Sequence, residues 1–157
     1  MDPLTLTFLL GRLGRLTDSM TTDICADAAT TPAEIRVLAY LVHAPERTAR
    51  PSDVARFAVQ TSGGLTATLG RLESAGLIKR RPDPTDGRGK LIVLSGDGRR
   101  LHDAVITRLT AATAAAVGDL DLDDVGIHVR DLVIALERAA GLPTSAGFVA
   151  NPLGVHA

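Results

Sequence analysis

The residues from Arg80 to Lys90 read R-R-P-D-P-T-D-G-R-G-K, and they exclude more folds than any other part of the chain. Two prolines and two glycines forbid a helix there. Leu77-Ile78 leads in and Leu91-Ile92-Val93-Leu94 leads out, both apolar and short enough for strands. The pattern is a β-hairpin whose tip carries Arg80, Arg81, Arg88 and Lys90. A cationic tip suits a nucleic-acid backbone or a narrow minor groove, where negative potential is concentrated.

The segment before the hairpin, Pro51 to Gly76, reads as two short helices joined by a tight turn. Ser52 is placed to cap the first, which reaches Phe57 or Ala58 with Val54, Ala55 and Ala58 inward. Val59-Gln60-Thr61 is the turn. Thr61 or Ser62 caps the second helix, which runs to about Ala75. Its Leu65, Leu69 and Leu72 fall at i, i+4 and i+7 and form a buried stripe, and Gly76 is its stop. Two helices and a basic hairpin in this order predict a winged helix-turn-helix.

Flanking segments are helical too. Asp2 and Pro3 open a first helix with Leu6, Leu9, Leu10, Leu13, Leu16, Met20 and Ile24 in period, ending across Ala28 to Thr31. Thr31-Pro32-Ala33-Glu34 is a capping box that starts a second helix, apolar at Ile35, Val37, Leu38, Leu41 and Val42. Thr48 to Arg50 is a short extended stretch. Ser95 opens a long helix to about Val117, and Asp121 or Asp123 opens a last one. The stripes on the first and last helices exceed what one small winged helix can cover, so a homodimer is expected.

A net charge of −1 looks wrong for a nucleic-acid binder until it is divided. Residues 50–100 hold ten Lys/Arg against five acids, which leaves −6 for the rest of the chain. A basic module in an acidic frame fits a protein that grips DNA in one place. No Gly-rich phosphate loop, G-x-S-x-G or paired-carboxylate arrangement marks an enzyme. The single cysteine, Cys25, rules out an intrachain disulfide, and the four histidines lack metal-ligand spacing, so neither metal nor cofactor is expected. No membrane span or signal peptide is seen, and a cytoplasmic location follows by default.

The residues Ser52-Asp53-Val54-Ala55, Leu65-Thr66, the run Arg71-Leu72-Glu73-Ser74-Ala75-Gly76-Leu77-Ile78-Lys79-Arg80, and Asp86-Gly87-Arg88 together resemble the MarR (multiple antibiotic resistance regulator) family over roughly residues 5–140. The resemblance implies a homodimeric transcription regulator, usually a repressor. Each winged helix would read half of a pseudo-palindromic operator in double-stranded DNA, and a small aromatic acid would relieve binding. It implies four parts: residues 1–30 as an N-terminal dimerisation helix, 31–95 as the DNA-binding winged helix-turn-helix, 96–140 as C-terminal dimerisation helices, and 141–157 as a flexible tail. Two positions depart from the family pattern. Val59 stands where glycine is frequent in the turn, and Ala67 where arginine is frequent after Thr66.

The candidate DNA-binding residues are Arg50, Thr61, Ser62, Gly63, Thr66, Arg71, Arg80, Arg81, Asp86, Arg88 and Lys90. In the hairpin, the resemblance implies that Asp86 orients Arg88 for the minor groove, since a carboxylate restrains a guanidinium before binding. The candidate ligand-binding residues are Arg12, Arg15, Arg36 and Tyr40, cationic or polar groups able to fix one acid end. Two alternatives accompany this reading: a winged helix used for protein contact without DNA, and a thiol-based redox sensor acting through Cys25. Asp23 and Asp27 near the thiol favour an inert cysteine.

Overall fold

Backbone capping decides where each helix begins. In the computed structural model, which describes residues 1–58 and 62–142, apart from the side chains of Ser62, Gly87 and Arg88, helix α1 spans Pro3–Asp27. The Asp2 carboxylate accepts from the backbone N–H groups of Leu4 and Thr5, as the sequence predicts. Its C-terminal turn closes with Ala29 at φ 53°, and Thr30 N–H donates to the Cys25 carbonyl. That is a Schellman closure with alanine in the left-handed position that glycine usually takes.

Helix α2, Pro32–His43, starts at the capping box formed by Thr31 and Glu34. After a 3₁₀ turn, Pro45–Arg47, comes strand β1, Thr48–Ala49. Helix α3 is Pro51–Ala58. It starts two residues earlier than a cap at Ser52 would place it. Pro51 takes the first helical position, and the Arg50 carbonyl accepts from Asp53 and Val54, so Ser52 lies inside the first turn and is not the cap. Helix α4 is Ser62–Ser74, and Gly76 at φ 72° closes it with Leu77 N–H donating to the Leu72 carbonyl. The turn residues Val59, Gln60 and Thr61 lie outside the described residues.

Strands β2 (Ile78–Asp83) and β3 (Asp86–Leu94) form the hairpin, and β1 pairs along the other side of β3. All pairings are antiparallel, with Ile78 opposite Leu94 and Arg81 opposite Leu91. The tip is therefore Pro84-Thr85, beyond an irregularity at Pro82/Asp83. Arg80 and Arg81 sit partway along a strand, not at the tip, because pairing continues to Asp83. Helices α5 (Gly96–Val117) and α6 (Leu122–Ala139) complete the described chain, capped by Ser95 and Asp121.

One core holds the centre together. Val37, Leu38 and Leu41 of α2 meet Val54 of α3, Leu65, Leu69 and Leu72 of α4, Ile78 and Ile92 of the sheet, and Val105 of α5. The α4 leucines are the stripe the sequence predicts. Cys25 is the buried residue of α1, and α6 has none. Phe8, Leu9, Leu13 and Leu16 of α1, with Val125, Ile127, Val129 and Leu136 of α6, face solvent in the single chain.

Candidate nucleic-acid interface

The hairpin is fixed to α3 by one buried carboxylate. Asp83 is 6% exposed. It accepts from Arg50 Nε at 2.9 Å, Thr85 N–H at 2.9 Å and the Thr85 hydroxyl at 2.7 Å. Arg50 also donates to the Thr85 hydroxyl at 2.8 Å. The Thr85 hydrogen bonds, with Arg50 behind them, hold the Asp83 carboxyl below its ordinary range. Arg50 stands at the entry to α3 and Asp83 at the end of β2, so this latch sets the angle between the hairpin and the helix pair. Gly89 lies beneath it: a Cβ there would meet an Asp86 carboxylate oxygen at 2.9 Å and the Asp83 Cβ at 3.1 Å. Glycine is needed at that position for close approach, not for its backbone freedom.

The predicted cations divide into paired and outward groups. Arg80 Nε lies 3.0 Å from Glu73 of α4, and Arg71 Nε lies 2.8 Å from Glu34 of α2. Lys79, Arg81 and Lys90 are exposed along the strands. Arg50 separates two surface clefts. One, of about 380 Å³, runs from Arg50 past Pro51 and Ser52 to Asp86, Gly89 and Lys90. The other, of about 450 Å³, is lined by Tyr40, Thr48, Arg50, Asp53, Arg81 and Leu91 among others. Gly63, Thr66 and Ala67 are exposed on α4, opposite its leucines. The side chains of Ser62 and Arg88, and Thr61 altogether, lie outside the described set, whereas the Arg88 backbone belongs to β3. Asp86, Arg81 and Lys90 thus share the hairpin with Arg88, and Arg50 adjoins it.

The four candidate ligand residues are not gathered in one cleft. Tyr40 lines the 450 Å³ cleft and packs against Phe57 of α3 in a tilted pair with ring centroids 5.1 Å apart, while Arg12, Arg15 and Arg36 do not line it. Arg12 and Arg15 are exposed on α1, and Arg36 is exposed on α2. Burial, with Asp53 nearby, raises the Tyr40 hydroxyl above its ordinary value. Cys25 is fully buried, and burial pushes its thiol up as well, which is the wrong direction for a reactive thiolate. Among the described residues no group of three or more His, Cys, Asp or Glu could hold a metal ion. No helix among them is long and apolar enough to cross a membrane.

Two arrangements were not legible in the sequence. The Arg50–Asp83 and Glu34–Arg71 pairs join residues 33 and 37 positions apart. Charge pattern shows only the short-range partners of a helix face. The capping box did announce Glu34, but as a local feature.

Comparison with known proteins agrees with this geometry. A family model described as "MarR family" matches residues 30–89, from just before α2 into β3. The transcriptional activatory protein BadR of Rhodopseudomonas palustris is 28% identical over 95 residues. That alignment covers 60% of this chain and 54% of BadR, so the chain spans about half the length of this curated relative. AbsC, a MarR family transcriptional regulator from Streptomyces coelicolor, superposes with a TM-score of 0.76 at 22% identity, covering 90% of this chain and 97% of AbsC. CouR from Rhodococcus jostii RHA1, in its complex with p-coumaroyl-CoA, matches at TM-score 0.73 and 25% identity, covering 96% and 95%. Sco3205, a MarR family regulator from Streptomyces coelicolor bound to DNA, matches at TM-score 0.68 and 23% identity, covering 83% and 85%. The family model covers the helix pair and hairpin, and the structural matches extend over the flanking helices. Residues 30–89 match the MarR family model, and the chain has the winged-helix fold of the MarR family structures it superposes on.

Proposed function

We propose that this protein is a dimeric, sequence-specific DNA-binding transcription regulator. The observation that carries the reading is the latched hairpin, with outward Arg81 and Lys90 beside the exposed face of α4. The DNA-bound state of Sco3205, a protein of the same fold, supports it. In this reading α4 enters the major groove, and the hairpin follows the backbone into the minor groove, with Arg88 as its reader. Gly63, Thr66 and Ala67 offer few long polar groups, so phosphate contacts and DNA shape carry more of the specificity than base edges do. Lys90, Arg50 and Ser52 edge the 380 Å³ cleft, which Asp83 and Asp86 also line, and offer donors to a phosphate.

The proposed dimer uses the apolar faces of α1 and α6, which nothing in the single chain covers. The proposed division is residues 1–30 and 96–140 for dimerisation and 31–95 for DNA. The polarity of control is proposed to be repression, relieved by a small anionic aromatic ligand. The 450 Å³ cleft beside Tyr40, with cationic Arg50 and Arg81 and aliphatic Leu91, is of suitable size and chemistry.

The test is anisotropy with a labelled duplex that the protein selects from a randomised library. Affinity should fall steeply with salt, with a log–log slope of roughly −0.9 per neutralised phosphate. Arg88→Ala should weaken binding about tenfold or more without shifting the melting temperature. A variant that binds as tightly as wild type at equal salt would remove the hairpin from the interface. Millimolar salicylate or phenylacetate that alters neither melting nor DNA affinity would remove the ligand from the proposal.

A further inference from the structure

Helix α4 is held to the core by Leu65, Leu69 and Leu72, a single row of side chains. Apolar burial is non-directional. A row of leucines keeps a helix against its neighbours but does little to fix its rotation about its own axis. That rotation decides where the opposite face, with Thr66 and Ala67, is aimed.

Beside the surface pair of Arg80 with Glu73, a polar anchor from α2 resists it. Glu34, in the first turn of α2, is only 8% exposed. Its Oε2 accepts from Thr31 N–H and from the Thr30 hydroxyl, each at 3.0 Å. Its Oε1 accepts from Arg71 Nε at 2.8 Å. A second Arg71 nitrogen reaches the hydroxyl of buried Thr68 at 3.4 Å, and that hydroxyl donates to the Gly64 carbonyl at 3.0 Å. A charge-assisted hydrogen bond to Nε is directional as apolar contact is not. Capping alone would occupy one carboxylate oxygen, and here the other faces α4. Thr30 follows directly on the closing turn of α1, so one carboxylate ties the end of α1, the start of α2 and the last turn of α4 together.

We infer that Glu34 is a positioning residue for DNA binding, acting through Arg71 to set the rotation of α4. The inference rests on the DNA-binding reading above. It gives Arg71, whose side chain stays about half exposed, a positioning role in place of the direct DNA contact its sequence position pointed to.

Glu34→Gln separates the two jobs of this side chain. Glutamine keeps an acceptor for Thr31 N–H and loses the charge that holds Arg71. With the library-selected duplex, Glu34→Gln should weaken binding about tenfold while the salt slope stays at its wild-type value. Arg71→Gln should cost a similar factor, and the double variant should lose no more than either single one. Val105→Ala, a core change in α5 remote from this anchor, serves as a stability control. The inference is overturned if Glu34→Gln binds as wild type while Arg71→Gln flattens the slope by about one unit, the mark of a phosphate contact. It is equally overturned if Val105→Ala, brought to the same melting temperature as Glu34→Gln, loses the same affinity. A wild-type protein that selects no duplex would sink the DNA-binding reading itself, and the inference with it.

Discussion

Two buried carboxylates, Glu34 and Asp83, contribute to how acid acts on this fold. Burial alone would raise Glu34, but hydrogen bonds from Arg71, Thr30 and Thr31 outweigh it and hold the group below its ordinary value of 4.5. Asp83 is held below 3.8 by Thr85 and Arg50. A depressed folded-state pKa contributes stability that is complete above the ordinary value and lost as pH falls through the lowered one. Stability should therefore stay level down to about pH 5 and fall below pH 4. Acid-induced unfolding followed by circular dichroism should show a shallower fall for Glu34→Gln. An unchanged acid limb in that variant would mean Glu34 titrates alike in both states. Asp83→Asn should loosen the hairpin and cost DNA affinity more than stability, because its partner Arg50 remains half exposed.

Glycines and left-handed positions govern the elements. Gly98 in the first turn of α5 cannot carry a side chain: a Cβ would come within 2.1 Å of the Leu77 carbonyl oxygen, which the Ser95 backbone and hydroxyl already bond. Gly98→Ala should cost about 2 kcal/mol or more, since the clash is with backbone and not with a movable side chain. Gly70 in α4 is the opposite case, with nothing within 4 Å of its Cβ position. Gly70→Ala should gain about 1 kcal/mol from helix propensity. If α4 lies close against a phosphate strand there, the same change will weaken DNA binding. Ala29, at φ 53°, sits where the α1 closure favours glycine, so Ala29→Gly should stabilise by about 1 kcal/mol in urea melts. A loss in that variant would show that the closure is not strained.

For the whole molecule, the exposed apolar faces of α1 and α6 dominate. Four large apolar residues of α1, Phe8, Leu9, Leu13 and Leu16, are about half exposed or more. α6 has no buried residue at all. A helix so poorly packed needs a partner surface to hold its form in water. Sedimentation at micromolar concentration should show a dimer, and Leu9→Glu with Leu13→Glu should give a monomer whose helix content falls. A folded, fully helical monomer would place these faces against some other partner.

Helix starts, strand runs and the hairpin were readable in the sequence, because each depends on neighbours. Asp2, Thr31 and Ser95 cap the N–H groups two or three residues ahead, the α4 leucines keep a 3.6-residue period, and Pro and Gly punctuate the chain wherever they stand. The start of α3 was missed by two residues because proline at the first helical position competes with serine as cap. The chain order of two helices and a basic hairpin was enough to place the fold. What tertiary structure alone decided is which of the cations face a carboxylate among the described residues. Arg71 and Arg80 read the same as Arg81 and Lys90 in a list of cations, yet the first two face carboxylates on packed neighbours. The latch of Asp83 on Arg50 likewise appears only when β2 folds back beside α3. Local capping is set within a few residues of the chain, whereas a long-range ion pair exists only after the core has brought its two elements together.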